Sequence, residues 1–245
     1  MIEASIKTYF PNARTGQEIT DTYLEFIQKH YQSNLDKVLF ATSVCCDDIN
    51  VSTDFRRVLK RPFTLGGLGG LPYAGLTGMS AFAQHIPDGG DAFIFYGPHI
   101  GISDAGEIGT MRRPGQQHQT TCCGALLLAH SNLLNADSEQ LSKVNPLDAQ
   151  QMELQQSLMP FREQIAASNP PAKVITDITY TNIRDRLFEL VRQGRSQFNG
   201  QRIFLLGGVI INTSPEFPDY VDIRDFHVLT PQDLSEDQFT SKPIL

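Results

Sequence analysis

The sequence predicts an α/β fold: one domain over residues 1–245, with a mostly parallel central sheet flanked by helices. Three observations carry that prediction. The first is a set of continuous apolar runs, 38–44, 92–96 and 203–211, whose β-branched and aromatic side chains suit strands buried on both faces. The second is the helical spacing of apolar residues in the segments around them. The third is the lack of any internal repeat, low-complexity tract or clear linker in 245 residues, a length that can bury a proper core.

In chain order, Thr15 and Gly16 are entry signals for an amphipathic helix over 15–32, with Ile19, Tyr23, Phe26, Ile27 and Tyr31 on its apolar side. It feeds the first apolar run, which ends abruptly in Cys45-Cys46-Asp47-Asp48. Ser52 or Thr53 is placed to cap a short helix over 54–60, which Pro62 ends. The glycine-rich stretch 65–78 lacks the lysine and hydroxyl of a phosphate-binding loop, so its glycines are expected to let the backbone pass close to another backbone or to a site. It leads into a helix near 75–85 through Leu76, Met79, Phe82 and Ala83, stopped by the turn at 85–90.

The second run ends at Gly97-Pro98-His99. Asp104 and Gly106 then suggest a turn into a short strand or loop over 107–111. Cys122 and Cys123 open a helix over 123–134, with Leu126, Leu127, Leu133 and Leu134 as core candidates. Helices are also expected over 147–167 and over 181–195, where Ile183, Leu187, Leu190 and Val191 recur at helical spacing. After the third run, residues 220–229 alternate apolar and polar, which predicts a strand with one exposed face. With the tail after Pro231, that strand suits an edge or a subunit contact.

Hydrophobic residues make up 40% of the chain and charged residues 19%, as in ordinary globular proteins. The net charge of −7 argues against nucleic-acid or acidic-membrane partners, which need a basic face. No window approaches the ~18 apolar residues of a spanning helix. The first residues show neither a signal-peptide nor a transit-peptide pattern, so a cytoplasmic location is expected. In that compartment four cysteines point to metal or redox chemistry rather than structural disulfides.

All four cysteines fall in two adjacent pairs at the ends of predicted elements. In open α/β sheets ligands bind at the carboxyl ends of the strands. A cysteine from 45/46, His99 and a cysteine from 122/123 can therefore meet there, as a three-ligand zinc site with a fourth position open to water. His85 is the competing histidine, while His30, His118, His130 and His227 suit surface, loop or packing roles. Arg56, Arg57, Arg61, Arg112 and Arg113 lie near the candidate site in sequence, and one of them can pair with Asp47 or Asp48.

The ordered motifs Ser43–Asn50, Gly66–Pro72, Thr77-Gly78, His85–Gly89, Tyr96–Gly101 and Cys123–Ala125 resemble the limiting-CO2-inducible protein B family, the theta class of carbonic anhydrases. The resemblance is close over residues 35–130 and looser elsewhere. It implies a fold and zinc site related to beta carbonic anhydrases, with zinc held by two cysteines and a histidine. The C-x-D pattern of that class matches Cys45-Cys46-Asp47, although Cys46-Asp47-Asp48 fits as well. The later cysteine precedes a glycine, which selects Cys123, and the histidine falls on His99. The arginine that follows the aspartate by two residues in the beta class is replaced here by Ile49, so Arg113 is the expected partner, with Arg56 or Arg57 as alternatives.

The implied activity is reversible hydration of CO2 to bicarbonate by a zinc-bound hydroxide. Asp47 would alternate between the metal at rest and its arginine in the active state. The family also implies a homodimer or higher homo-oligomer. Two rival readings differ in class. A cysteine-based redox or metal sensor should lose zinc and form disulfides on oxidation. A catalytically silent zinc-binding member of a carbon-concentrating assembly should bind zinc without hydrating CO2.

Overall fold

A computed structural model describes residues 2–47, 50–60, 62–135 and 145–230. Asp48, Ile49, Arg61 and the tail from Pro231, on which some expectations fall, lie outside them. The chain begins with helix α1 (Ile2–Tyr9), strand β1 (Arg14–Thr15) and helix α2 (Gly16–Tyr31). β2 (Val38–Ser43), α3 (Asn50–Val58), β3 (Phe63–Thr64) and α4 (Gly75–Gln84) follow. Next come β4 (Asp91–Tyr96), β5 (His99–Gly101), β6 (Thr110–Arg112), β7 (Gln119–Thr121) and α5 (Gly124–Asn135). The last elements are α6 (Ala149–Leu158), α7 (Arg162–Ala166), α8 (Pro171–Gln193), β8 (Ile203–Asn212) and β9 (Tyr220–Leu229).

The three apolar runs are the middle of the sheet. Its order is β1-β9-β8-β4-β2-β3, with β5 also on β8. β2, β3, β4, β5 and β8 pair in parallel, whereas β9 and β1 are antiparallel additions. Every residue of β4 and β8 is buried, as continuous apolar runs require. On one face Phe40, Phe93, Phe95, Phe204 and Phe226 pack with Phe55 of α3 and with Ile19, Tyr23 and Ile27 of α2. On the other, Ile94, Tyr96, Leu205 and Val209 meet α4, α5, α6 and α8.

α2 begins where its signals stand. Thr15 accepts from the Glu18 amide while the Glu18 carboxylate accepts from the Thr15 N–H, a reciprocal capping box. Other boundaries move. α3 starts at Asn50, so Ser52 and Thr53 lie within it rather than before it. The expected helix over 147–167 is broken into α6 and α7 by a 3-10 turn containing Pro160, which cannot continue the hydrogen-bond ladder. α8 starts ten residues before 181, with Pro171 in its first turn, where a missing N–H costs nothing. In α5 Leu126 and Leu133 are buried while Leu134 is exposed.

β9 departs furthest from expectation. It has no polar exposed face: Asp222, Asp225 and His227 are all buried. A register shift against Gly207/Gly208 inserts one extra residue, so positions 222 and 225, three apart, both turn toward α8. There Tyr96 and Tyr180 donate to the Asp225 carboxylate and Arg224 pairs with Asp222.

Candidate metal centre

Cys45, His99 and Cys123 converge at the carboxyl edge of the parallel strands. Their ligand-capable atoms all lie within 4.8 Å of one another, and all three side chains are buried. Cys45 stands two residues beyond β2, His99 opens β5, and Cys123 immediately precedes α5. Cys45 Sγ and Cys123 Sγ are 3.7 Å apart.

The glycine segment brings these ends together. The Leu65 N–H donates to Thr42 O (2.8 Å) and the Cys46 N–H to Gly67 O (3.3 Å), holding the loop against the end of β2. A Cβ on Gly66 would sit 2.4 Å from Val44 O, so only glycine permits that approach. Between β4 and β5 the chain jogs at Gly97-Pro98, where a Cβ on Gly97 would be 1.7 Å from Gly208 O. That close passage lets β8 pair first with β4 and then with β5, which sets His99 beside Ile210. The second cysteine pair is tied to the loop after β5: Gly101 N–H donates to Cys122 O (2.9 Å) and Cys122 N–H to Gly109 O (3.0 Å).

Electrostatically the donors behave as one unit. The shared hydrogen bond with Cys45, together with the His99 ring, holds the Cys123 thiol well below its usual range. The same hydrogen bond, with burial, pushes Cys45 up. For His99, burial acts to lower the imidazolium, but the neighbouring sulfurs of Cys123 and Cys122 outweigh it and hold it well above an ordinary histidine. His99 Nε2 is buried and has no hydrogen-bond partner among the described residues, while Nδ1 lies 2.7 Å from Asn212 Oδ1. A buried ring nitrogen without a partner, on a histidine grouped with two thiols, costs free energy unless a ligand satisfies it. Two sulfurs and one imidazole are the donor chemistry that zinc favours, so these residues fit the ion.

The remaining expected residues divide clearly. Cys46 is exposed and Cys122 is buried, with Sγ 3.4 Å from His99 Nδ1 and 3.6 Å from Asn212 Oδ1. The Cys122–Cys123 peptide is cis. Asp47 is not in the converging group; its carboxylate is taken by the Arg113 guanidinium, a pair with side chains 40% and 28% exposed. Arg57 turns away to Gln17 and Asp21 of α2, and Arg112 pairs with Glu216 at 2.5 Å. His85 caps the end of α4 in an exposed position, outside the group.

Sequence reasoning missed Asn212 and Asp219. Asn212 closes the third apolar run at the same edge as Cys45 and His99, so the strand-end rule applied to all three runs would have found it. Asp219 sits in the turn after β8, and its carboxylate accepts from Asn212 Nδ2 (2.9 Å) and from the Thr213 N–H (2.8 Å). Thr213, Asp219, Met111, Pro114, Asp54 and Phe217 line a cavity of about 400 Å³ beside this turn. None of the three converging residues lines it. No helix among the described residues is long and apolar enough to cross a membrane.

A family profile described as limiting CO2-inducible proteins B/C beta carbonic anhydrases matches residues 15–230. Among solved structures, PtLCIB4, a homologue of the limiting CO2-inducible protein LCIB, is similar with a TM-score of 0.87 and 30% identity, covering 97% of this chain and 99% of its own. The structure of LCIB itself is similar in fold, with a TM-score of 0.68 at 20% identity, covering 91% of this chain and 93% of its own. A comparison with curated proteins finds no match.

Proposed function

The chain belongs to the limiting CO2-inducible protein B/C family of beta carbonic anhydrases, and from that premise we propose that it is a zinc-dependent carbonic anhydrase interconverting CO2 and bicarbonate. The observation that most supports this is the convergence of Cys45, His99 and Cys123, whose ligand-capable atoms lie within 4.8 Å, with the buried His99 Nε2 having no hydrogen-bond partner among the described residues. When bound there, zinc supplies Lewis acidity and can lower the pKa of a coordinated water from about 15.7 toward 7.

The residues of the chain do the rest. Cys45, Cys123 and His99 Nε2 hold the ion, and two thiolates lower its net positive charge more than three histidines would. Arg113 holds the Asp47 carboxylate clear of the donor group. A half-exposed pair of this kind has a net worth of only ~0–1 kcal/mol, so Asp47 can be released at little cost. Released, the carboxylate could reach the centre; held by Arg113, it would be placed to orient a bound nucleophile, so Arg113 would act as a gate. The same reading assigns the activity to one α/β domain and a compartment that keeps four thiols free, the cytoplasm. It also includes at least a homodimer, which light scattering on the 27.3 kDa chain tests.

The deciding experiment pairs metal analysis with stopped-flow CO2 hydration on purified protein. About one zinc per chain is expected, with turnover lost on chelation and restored by zinc. Folded protein that carries zinc and does not hydrate CO2 would make this a silent member of the family.

A further inference from the structure

Behind His99 lies a chain of polar groups, buried at Asn212 and half-buried at Asp219, that the proposed reaction does not itself require. β5 and β8 are parallel neighbours, with His99 opposite Ile210. Asn212, two residues further along β8, therefore presents its side chain on the same face as His99. β8 and β9 are antiparallel, so the turn joining them also lies at this carboxyl edge and brings Asp219 back to Asn212. The Gly16 N–H donates to the Asp219 backbone carbonyl (3.0 Å), which fixes the turn, and the Thr213 N–H donates to Asp219 Oδ1 (2.8 Å), which anchors the carboxylate.

The orientation of each group then follows from the one behind it. A carboxylate only accepts, so the side of the Asn212 amide that faces Asp219 is its Nδ2, at 2.9 Å. The amide oxygen is thereby turned to His99 Nδ1, at 2.7 Å. An amide oxygen also only accepts, so Nδ1 must carry the proton and Nε2 is the nitrogen left to bind. Cys122 Sγ, 3.6 Å from the same oxygen and 3.4 Å from Nδ1, closes the remaining side.

We propose that Asn212 and Asp219 are positioning residues for the metal centre: Asp219 orients Asn212, and Asn212 fixes the protonation and rotation of the His99 ring so that Nε2 faces the Cys45 and Cys123 thiols. This rests on the zinc reading for its consequence, though not for its geometry. Outer-shell partners of ligand histidines typically contribute about 10–100-fold to metal affinity.

The test uses the full chain labelled with 15N-histidine, and competition for zinc against a chromophoric chelator. In metal-free wild-type protein His99 should show an exchange-protected Nδ1–H. Asn212→Leu should lose that protection and bind zinc roughly 10–100-fold more weakly. Asn212→Asp leaves two carboxylates facing each other, and Asp219→Asn cannot serve both Asn212 and Thr213, so each single change should weaken zinc binding. The double change Asn212→Asp/Asp219→Asn restores one donor between two acceptors and keeps an acceptor for Thr213. It should return affinity to within about a factor of two of wild type, a rescue that a merely structural role would not give. An unprotonated Nδ1 in the wild-type protein overturns the proposal whatever the variants do. So does a folded Asn212→Leu protein with unchanged zinc affinity and Nδ1–H protection. A wild-type chain that takes up no zinc yet shows the protected Nδ1–H would reject the zinc reading and support the positioning chain.

Discussion

Cys45 and Cys46 leave the end of a central strand, and only Cys45 turns into the protein, against Cys123, while Cys46 stays exposed. Cys122 and Cys123 are both buried, yet they reach different atoms. Cys123 faces Cys45, and Cys122 lies behind the histidine ring against Nδ1 and Asn212. Two dipeptides of identical composition thus supply three different environments: donor, backing and surface. The neighbour across the space, not the thiol itself, decides what a cysteine here can do. Burial alone does not separate them, since Cys45, Cys122 and Cys123 are all about 1% exposed.

The largest effects are expected where the converging sulfurs and the ring are removed. Cys45→Ser, Cys123→Ser and His99→Ala should each lose zinc by more than the roughly 10–100-fold of an outer contact, and activity with it. Metal analysis after dialysis checks this. Full occupancy in His99→Ala would reject the ligand set and return attention to His85, despite its exposed place at the end of α4.

Next in size is the residue that follows the first pair. Asp47→Ala should keep zinc, because three donors remain, and lose activity by about 10–100-fold. Arg113→Ala should lose activity to a similar extent with zinc retained, and the double variant should be little worse than either single one, since the two side chains act as a unit. Stopped-flow hydration on zinc-loaded variants measures all three. A fully active Arg113→Ala protein beside a dead Arg56→Ala or Arg57→Ala protein would keep the gate and change its arginine.

Cys122 sharpens the contrast within the second pair. Its thiol is a weak donor beside Asn212, which already accepts from His99. Cys122→Ala should therefore weaken zinc binding by less than ~10-fold, well short of Cys123→Ser, as chelator competition would show. Equal losses at 122 and 123 would mean that the two sulfurs exchange roles.

How much of this could be read from the sequence depends on the range of the contact. β2, β4 and β8 were legible because a strand buried on both faces must be apolar throughout, and α2 because its capping box is local. The positions of Cys45, His99 and Cys123 were legible as strand and helix ends, but the choice of Cys45 over Cys46 and of Cys123 over Cys122 came from the family resemblance. The Asp47–Arg113 contact spans 66 positions, and nothing local to Asp47 marks Arg113 over Arg56 or Arg57. Asn212 and His99 are 113 positions apart, so the strand-end rule places Asn212 at the same edge but does not pair it with the histidine. β9 misled because an extra residue resets its alternation, which hides buried carboxylates in a pattern that looks half exposed.

The smallest effect is expected at Cys46, the exposed member of the first pair. Its neighbour Cys45 is one of the three converging residues, so sequence proximity alone would make Cys46 a suspect. Its geometry says otherwise: the backbone N–H is committed to Gly67 O at 3.3 Å, and the side chain is exposed and outside the converging group. Cys46→Ser keeps that backbone bond and removes only a surface sulfur, so zinc content, activity and melting temperature should match the parent protein within ~0.5 kcal/mol of stability. Alkylation should show the same division from the other side. In zinc-loaded protein one thiol per chain should react quickly and three slowly, since the others are buried among their partners. Cys46→Ser should abolish the quick reaction, and chelation should then expose Cys45 and Cys123 ahead of Cys122. Loss of zinc in Cys46→Ser would mean that the surface cysteine, not Cys45, reaches the metal, and the alternative match of Cys46-Asp47-Asp48 to the family pattern would have to be taken up instead.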